Sequence, residues 1–151
     1  MNEADRQARE GDGMTESIPP WSLTIASDLR MLALARSFVE SACLAARFDE
    51  HATHSIVLAA DEAVNNVIRH AHQDRPDAVV QIQCYIRPDC IEIRVIDQGQ
   101  PFDITAVPYM DPGELRPGGR GVFLMRSLMD ELSCERRDGG NMLRMVKRRP
   151  A

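Results

Sequence analysis

The hydrophobic period of this chain changes once between Asp49 and Asp97, and that change limits what it can fold into more than any other feature. Ile56, Ala60, Ala63, Val67 and Ala71 recur at three- and four-residue spacings, which predicts a helix capped by Asp49, running to about His72 and burying that stripe. After the turn-rich stretch Gln73 to Asp77 the period drops to two. Val79 to Ile86 and Ile91 to Asp97 read as strands that the turn Arg87-Pro88-Asp89 joins into an antiparallel hairpin. Ile91, Ile93 and Val95 share one face of the second strand, with Glu92 and Arg94 on the other. Continuing the same period puts Asp97 on the apolar face, where a carboxylate needs a partner because burying a lone charge is costly.

The segments on either side are shorter. Residues 1 to 20 are polar, contain Gly11, Gly13, Pro19 and Pro20 and lack periodicity, so a flexible tail is expected, with Met14 an alternative start. Trp21 to Ala26 reads as a strand, and Ser27 or Asp28 as the cap of a helix carrying Met31, Leu34, Phe38, Ala42 and Ala45 to near Arg47. Gln98 to Gly119 is rich in Pro and Gly and long enough to be a functional loop or lid. Gly121 to Leu132 returns to helical pattern, and Leu132 to Arg137 with Met142 to Lys147 predict a hairpin around Asp138-Gly139-Gly140-Asn141. With 151 residues, 44% of them hydrophobic, and no repeat or linker, one domain over residues 21–149 is expected.

The charge balance excludes some function classes. A net charge of -5 and a pI near 5.3 argue against direct nucleic-acid binding, since the only basic cluster is Lys147, Arg148 and Arg149. No apolar run approaches the roughly 18 residues a membrane helix needs, and the N-terminus is unlike a signal peptide, so a cytoplasmic protein is expected. Cys43, Cys84, Cys90 and Cys134 form no C-x-x-C pair and read as reduced thiols. The pairs His51/His54 and His70/His72 lack further ligands at zinc spacing.

Three short motifs carry chemistry. Glu62 and Asn66, four residues apart in Asp61-Glu62-Ala63-Val64-Asn65-Asn66, stack a carboxylate and an amide on one helix face. Alone that is an ordinary solvated stripe, which Arg69 extends; it also suits a general base beside an oxygen ligand for Mg²⁺. Asp97-Gln98-Gly99-Gln100-Pro101-Phe102 sets an acid at a strand end before a glycine that permits close backbone approach, and an adenine amino group is a natural partner for that acid. Gly118-Gly119-Arg120-Gly121 opens a helix, where backbone N–H groups can approach a phosphate.

In this order, a D-E-x-x-x-N helix, a D-x-G-x-P-F strand end and a G-G-x-G helix start resemble the N, G1 and G2 boxes of the GHKL ATPases, and within them the RsbW-like anti-sigma factor serine kinases. The resemblance spans residues 22 to 148. It implies a Bergerat-type α+β two-layer sandwich, with helices on one face of a mixed, mostly antiparallel sheet and ATP and Mg²⁺ held between helix and sheet. By matching position, Asn66 is the implied Mg²⁺ ligand, Glu62 the base and Asp97 the adenine acceptor. Gly99 shapes its turn, and Gly119 and Gly121 line the phosphates beneath a lid from Tyr109 to Arg120. Arg116 or Arg120 would add positive charge at the γ-phosphate, and Arg69 with His70 would order the phosphate side.

Two positions depart from the family pattern: Pro117, where relatives carry a lid arginine, and Asn141 or Met142, where they place Thr. The resemblance implies an ATP-dependent serine/threonine kinase acting as an anti-sigma regulator. It would phosphorylate a STAS-domain anti-anti-sigma protein, hold a sigma factor inactive, and dimerise with its own copy through the first strand and helix. The alternative is a non-catalytic binding module of the same fold, switched by ATP or ADP.

Overall fold

The computed structural model describes residues 18–72, 75, 77–101 and 120–150, so most of the expected tail and lid lies outside the described residues. The chain enters through β1 (Trp21–Ala26). Asp28 then caps a 3-10 turn, Leu29–Met31, by accepting from the Arg30 N–H at 2.9 Å. That turn leads into α1 (Leu32–Ala45). Asp49 caps α2 (Glu50–Asn66) as expected, its carboxylate accepting from the Ala52 N–H at 2.7 Å.

The sequence predicts one uninterrupted helix to about His72. Instead α2 passes at Asn66 into a π turn over Val67–Ala71, closed by the His72 N–H on the Val67 carbonyl at 2.9 Å. Such widened turns are most often found beside functional sites. Here it brings the Ala71 carbonyl to the Gln100 N–H at 3.1 Å, a bond that ties the helix end to the loop after the hairpin.

The hairpin forms as predicted from β2 (Val79–Ile86) and β3 (Cys90–Asp97). α3 (Arg120–Leu128) stops short of the expected Leu132. Asp130 pulls the chain into the sheet, its N–H bonding the Val146 carbonyl at 2.9 Å and its carboxylate the Arg148 N–H at 2.6 Å. β4 (Glu131–Arg137) and β5 (Gly140–Arg148) follow. Their turn is only Asp138-Gly139, at φ 49° and 77°, the left-handed pair that a two-residue hairpin favours. The loop expected over residues 138–141 is therefore shorter, and Asn141 lies within the strand, opposite Asp97.

The strands line up in the order β1-β2-β3-β5-β4, and all four pairings are antiparallel. Alternate residues (Val80, Ile82 and Cys84; Ile91, Ile93 and Val95; Leu143 and Met145) join one core with Val39, Ile56, Ala60, Val64 and Met125 from the helices. Val146 and Met142, although buried, stand outside that core on the opposite face. The helices therefore cover one face, which is the two-layer α+β sandwich. Each large apolar side chain buried this way is worth about 1.5–3 kcal/mol. Cys43 and Cys84 belong to this core, where burial pushes both thiols up to about 12. Among the described residues no helix is long and apolar enough to cross a membrane.

Candidate nucleotide site

Glu62 and Asn66 sit in the last turn of α2, and the first turn of α3 lies directly against them. A Cβ added at Gly121 would fall 2.8 Å from Glu62 Oε2 and 3.2 Å from Asn66 Nδ2. The missing side chain is what lets the start of one helix meet the carboxylate and amide of the other. Burial, reinforced by the neighbouring Asp61, raises the Glu62 carboxyl above the usual carboxylate range. That suits a proton acceptor working near neutral pH. Asp61 itself is held by Arg36 Nη1 at 3.0 Å.

Asp97, the last residue of β3, is buried on the helix face as its alternation predicts. Its partners are now explicit: Oδ1 accepts from the Gly99 N–H at 2.8 Å and from Asn141 Nδ2 at 2.9 Å. Neither bond uses Oδ2. A Cβ on Gly99 would lie 2.4 Å from the Ala71 carbonyl oxygen, so only glycine fits between the turn and the π segment. Asp97, Asn141 and Asn66 line one narrow slot whose other walls are apolar, among them Ala63, Val67, Met125 and Leu143. Apolar walls with a carboxylate among them have the polarity that an amino-bearing base calls for.

Sequence reasoning passed over three residues beside this slot. His72, read there as one of a histidine pair, is buried with Nδ1 2.7 Å from Ser27 Oγ and Nε2 3.9 Å from Asp97 Oδ1. Arg136, on β4, donates to Asn141 Oδ1 and to the Gly99 carbonyl, each at 3.1 Å, and to the Gly139 carbonyl at 2.8 Å. No local motif marks Ser27, His72 or Arg136, because their partners are remote in sequence.

The predicted site residues therefore fall into two groups, Glu62–Asn66–Gly121 and Asp97–Gly99, with Asn66 and Asp97 facing the same slot. Arg69 is exposed and donates to Asn65 Oδ1 at 3.1 Å; no described contact brings it to either group. Arg120 is exposed at the start of α3. Gly119, Arg116 and Pro117 lie outside the described residues.

The donor set also bears on a metal. Among the described residues no three His, Cys, Asp or Glu side chains converge as a cage. A single side-chain oxygen beside an open backbone cradle is nonetheless what Mg²⁺ uses when phosphates and waters complete its shell. Asn66 facing Gly121 fits that pattern.

Helices on one face of an antiparallel sheet, with Asn66 and Asp97 on one slot and Gly121 seated on Glu62 and Asn66, are the arrangement of a candidate nucleotide-binding domain. Residues 25–147 match the family described as histidine kinase-like ATPase domain, and the chain belongs to that family. Within it, the chain is similar to the serine-protein kinases RsbW. The protein of that name from Listeria monocytogenes serovar 1/2a is 32% identical over 110 residues, covering 67% of this chain and 69% of the relative. The Staphylococcus epidermidis RsbW is 35% identical over 102 residues, covering 60% and 64%. A solved structure of the RsbU and RsbW domains of a Mycobacterium tuberculosis protein shares the fold, with a TM-score of 0.60 at 20% identity, over 89% of this chain and 33% of that one.

Proposed function

We propose that this chain is an ATP-dependent serine/threonine protein kinase of the RsbW kind. It would act as a cytoplasmic anti-sigma regulator that phosphorylates a STAS-domain anti-anti-sigma protein and sequesters a sigma factor. The observation that carries the reading is the seating of Gly121 on Glu62 and Asn66, because it joins a carboxylate of raised proton affinity to the glycine start of a helix. The RsbW kinship of the sequence supports the choice of a protein hydroxyl as acceptor.

When bound, ATP supplies the phosphoryl group and Mg²⁺ neutralises its charge, held on the protein side through the Asn66 side-chain oxygen. Asp97 accepts a hydrogen bond from the adenine amino group in the slot, and Gly99 keeps that turn against the Ala71 carbonyl. Phosphate oxygens would approach the backbone N–H groups at the N-terminus of α3, whose partial positive charge favours them. Glu62 takes the proton from the attacking serine hydroxyl, worth typically about 10²–10⁴ in rate. Arg120, with Gly119 and Arg116 of the lid, would add donors to the phosphates. Exposed Trp21 on the edge strand β1 and exposed Leu34 and Leu44 on α1 support a homodimer through those two elements.

Calorimetry with ATP and Mg²⁺, followed by transfer of labelled phosphate to a STAS-domain substrate, tests the reading. Binding and transfer are expected; binding without transfer would favour the nucleotide-switched module, and no binding would end both.

A further inference from the structure

We infer that Arg136 and His72 are positioning residues for nucleobase choice. They fix the Asp97 carboxylate so that it selects a base with an exocyclic amino group, an inference that rests on the ATP site proposed above. The Asp97 side chain is 2% exposed, and two donors already fall on Oδ1, the Gly99 N–H and Asn141 Nδ2. Two donors on one oxygen restrict the rotation of the carboxylate and leave Oδ2 outside both bonds. Which end of the Asn141 amide faces Asp97 thus decides whether the acid is held or repelled.

Arg136 decides it. A guanidinium only donates, so the amide end 3.1 Å from Arg136 Nη1 is the oxygen, and the NH₂ end faces Asp97. The second Nδ2 hydrogen goes to the Gln100 carbonyl at 2.8 Å, which removes the remaining rotation. Arg136 is itself held by the Gly99 and Gly139 carbonyls, so one side chain ties the glycine turn, the β4–β5 turn and the amide together.

His72 closes the other side. His72 Nδ1 lies 2.7 Å from Ser27 Oγ, and Nε2 faces Asp97 Oδ1 at 3.9 Å. The Gly99 N–H and the Asn141 amide donate to Oδ1, with the His72 ring beyond them, and Oδ2 is left to accept from a ligand. An acceptor there rewards the 6-amino group of adenine and repels a carbonyl at the same position.

Calorimetry on the full chain with ATP and with purine riboside triphosphate, which lacks the 6-amino group, tests this in wild type, Arg136→Ala and His72→Gln. Melting curves report whether each variant folds. Wild type is expected to prefer ATP by about tenfold or more. Arg136→Ala should reduce that preference to about threefold or less by weakening ATP alone, leaving the analogue within about twofold of wild type. His72→Gln should narrow it in the same direction. A preference that survives Arg136→Ala, or equal loss of both nucleotides, would overturn the inference while ATP binding by wild type left the site standing. Wild type binding neither nucleotide would overturn both.

Discussion

Gly121 marks the point where α2 and α3 meet at the proposed site, and its substitution should separate function from folding. Ala is a better helix former than Gly by about 1 kcal/mol, so Gly121→Ala is expected to melt within a few degrees of wild type. Its methyl would stand 2.8 Å from Glu62 Oε2, and ATP affinity measured by calorimetry should fall at least about tenfold. Glu62 makes a complementary prediction. Burial and then Asp61 raise its carboxyl, so the folded chain holds that proton more tightly than the unfolded chain does. Stability is therefore lost as pH rises from the ordinary glutamate range through the raised value, and Glu62→Gln at pH 7 should melt no lower than wild type. The same variant should lose about 10²–10⁴ in transfer rate, and wild-type transfer should fall as pH drops through that raised value. Glu62, Asn66 and Asp97 could be proposed from the sequence because each belongs to a short motif. Ser27, His72 and Arg136 were not, since they meet their partners only after the sheet has assembled.

At the scale of elements, the π turn after Asn66 is what docks α2 onto the loop that follows β3. Gly99 is packed against the Ala71 backbone, and a methyl there would sit 2.4 Å from an oxygen that cannot rotate away. Gly99→Ala should therefore unfold about 5 °C or more below wild type in a calorimetric scan, unlike Gly121→Ala, whose neighbours are side chains. Among the described residues hydrophobic spacing located the helices and strands, but several ends moved. The α2 stripe continues across the π turn, so periodicity alone does not reveal the widening there. The early stop of α3 depends on Asp130 meeting β5, a contact from later in the chain. The β4–β5 turn needed only Asp138 and Gly139, which moved Asn141 from loop to strand and so to Asp97.

At the scale of the whole molecule the sheet has two differently built faces. One carries the helices and the slot. On the other, Glu92 is buried beneath Arg87, Arg94 and Arg144, while Arg144 and Arg148 share Glu131. Arg94 lies 4.5 Å from the Tyr85 ring centre. The alternation in β3 foretold that Glu92 faces away from the core, but not that arginine stems from the β2–β3 turn, β3 and β5 would cover it. Glu92→Gln takes the Glu92 charge from Arg87 and Arg94 and leaves Arg144 with Glu131 alone; it is expected to cost about 1–3 kcal/mol in urea unfolding, with ATP affinity unchanged.

The central claim is that Glu62, Asn66 and Asp97 form one working phosphotransfer site. Its most direct test is transfer of the γ-phosphate of labelled ATP to a serine of a STAS-domain protein by wild type and Glu62→Gln, each first shown by calorimetry to bind ATP. The account predicts phosphoserine with wild type and a rate reduced at least about a hundredfold with Glu62→Gln at preserved ATP affinity. Equal transfer by the two proteins, or ATP bound by neither, would contradict it.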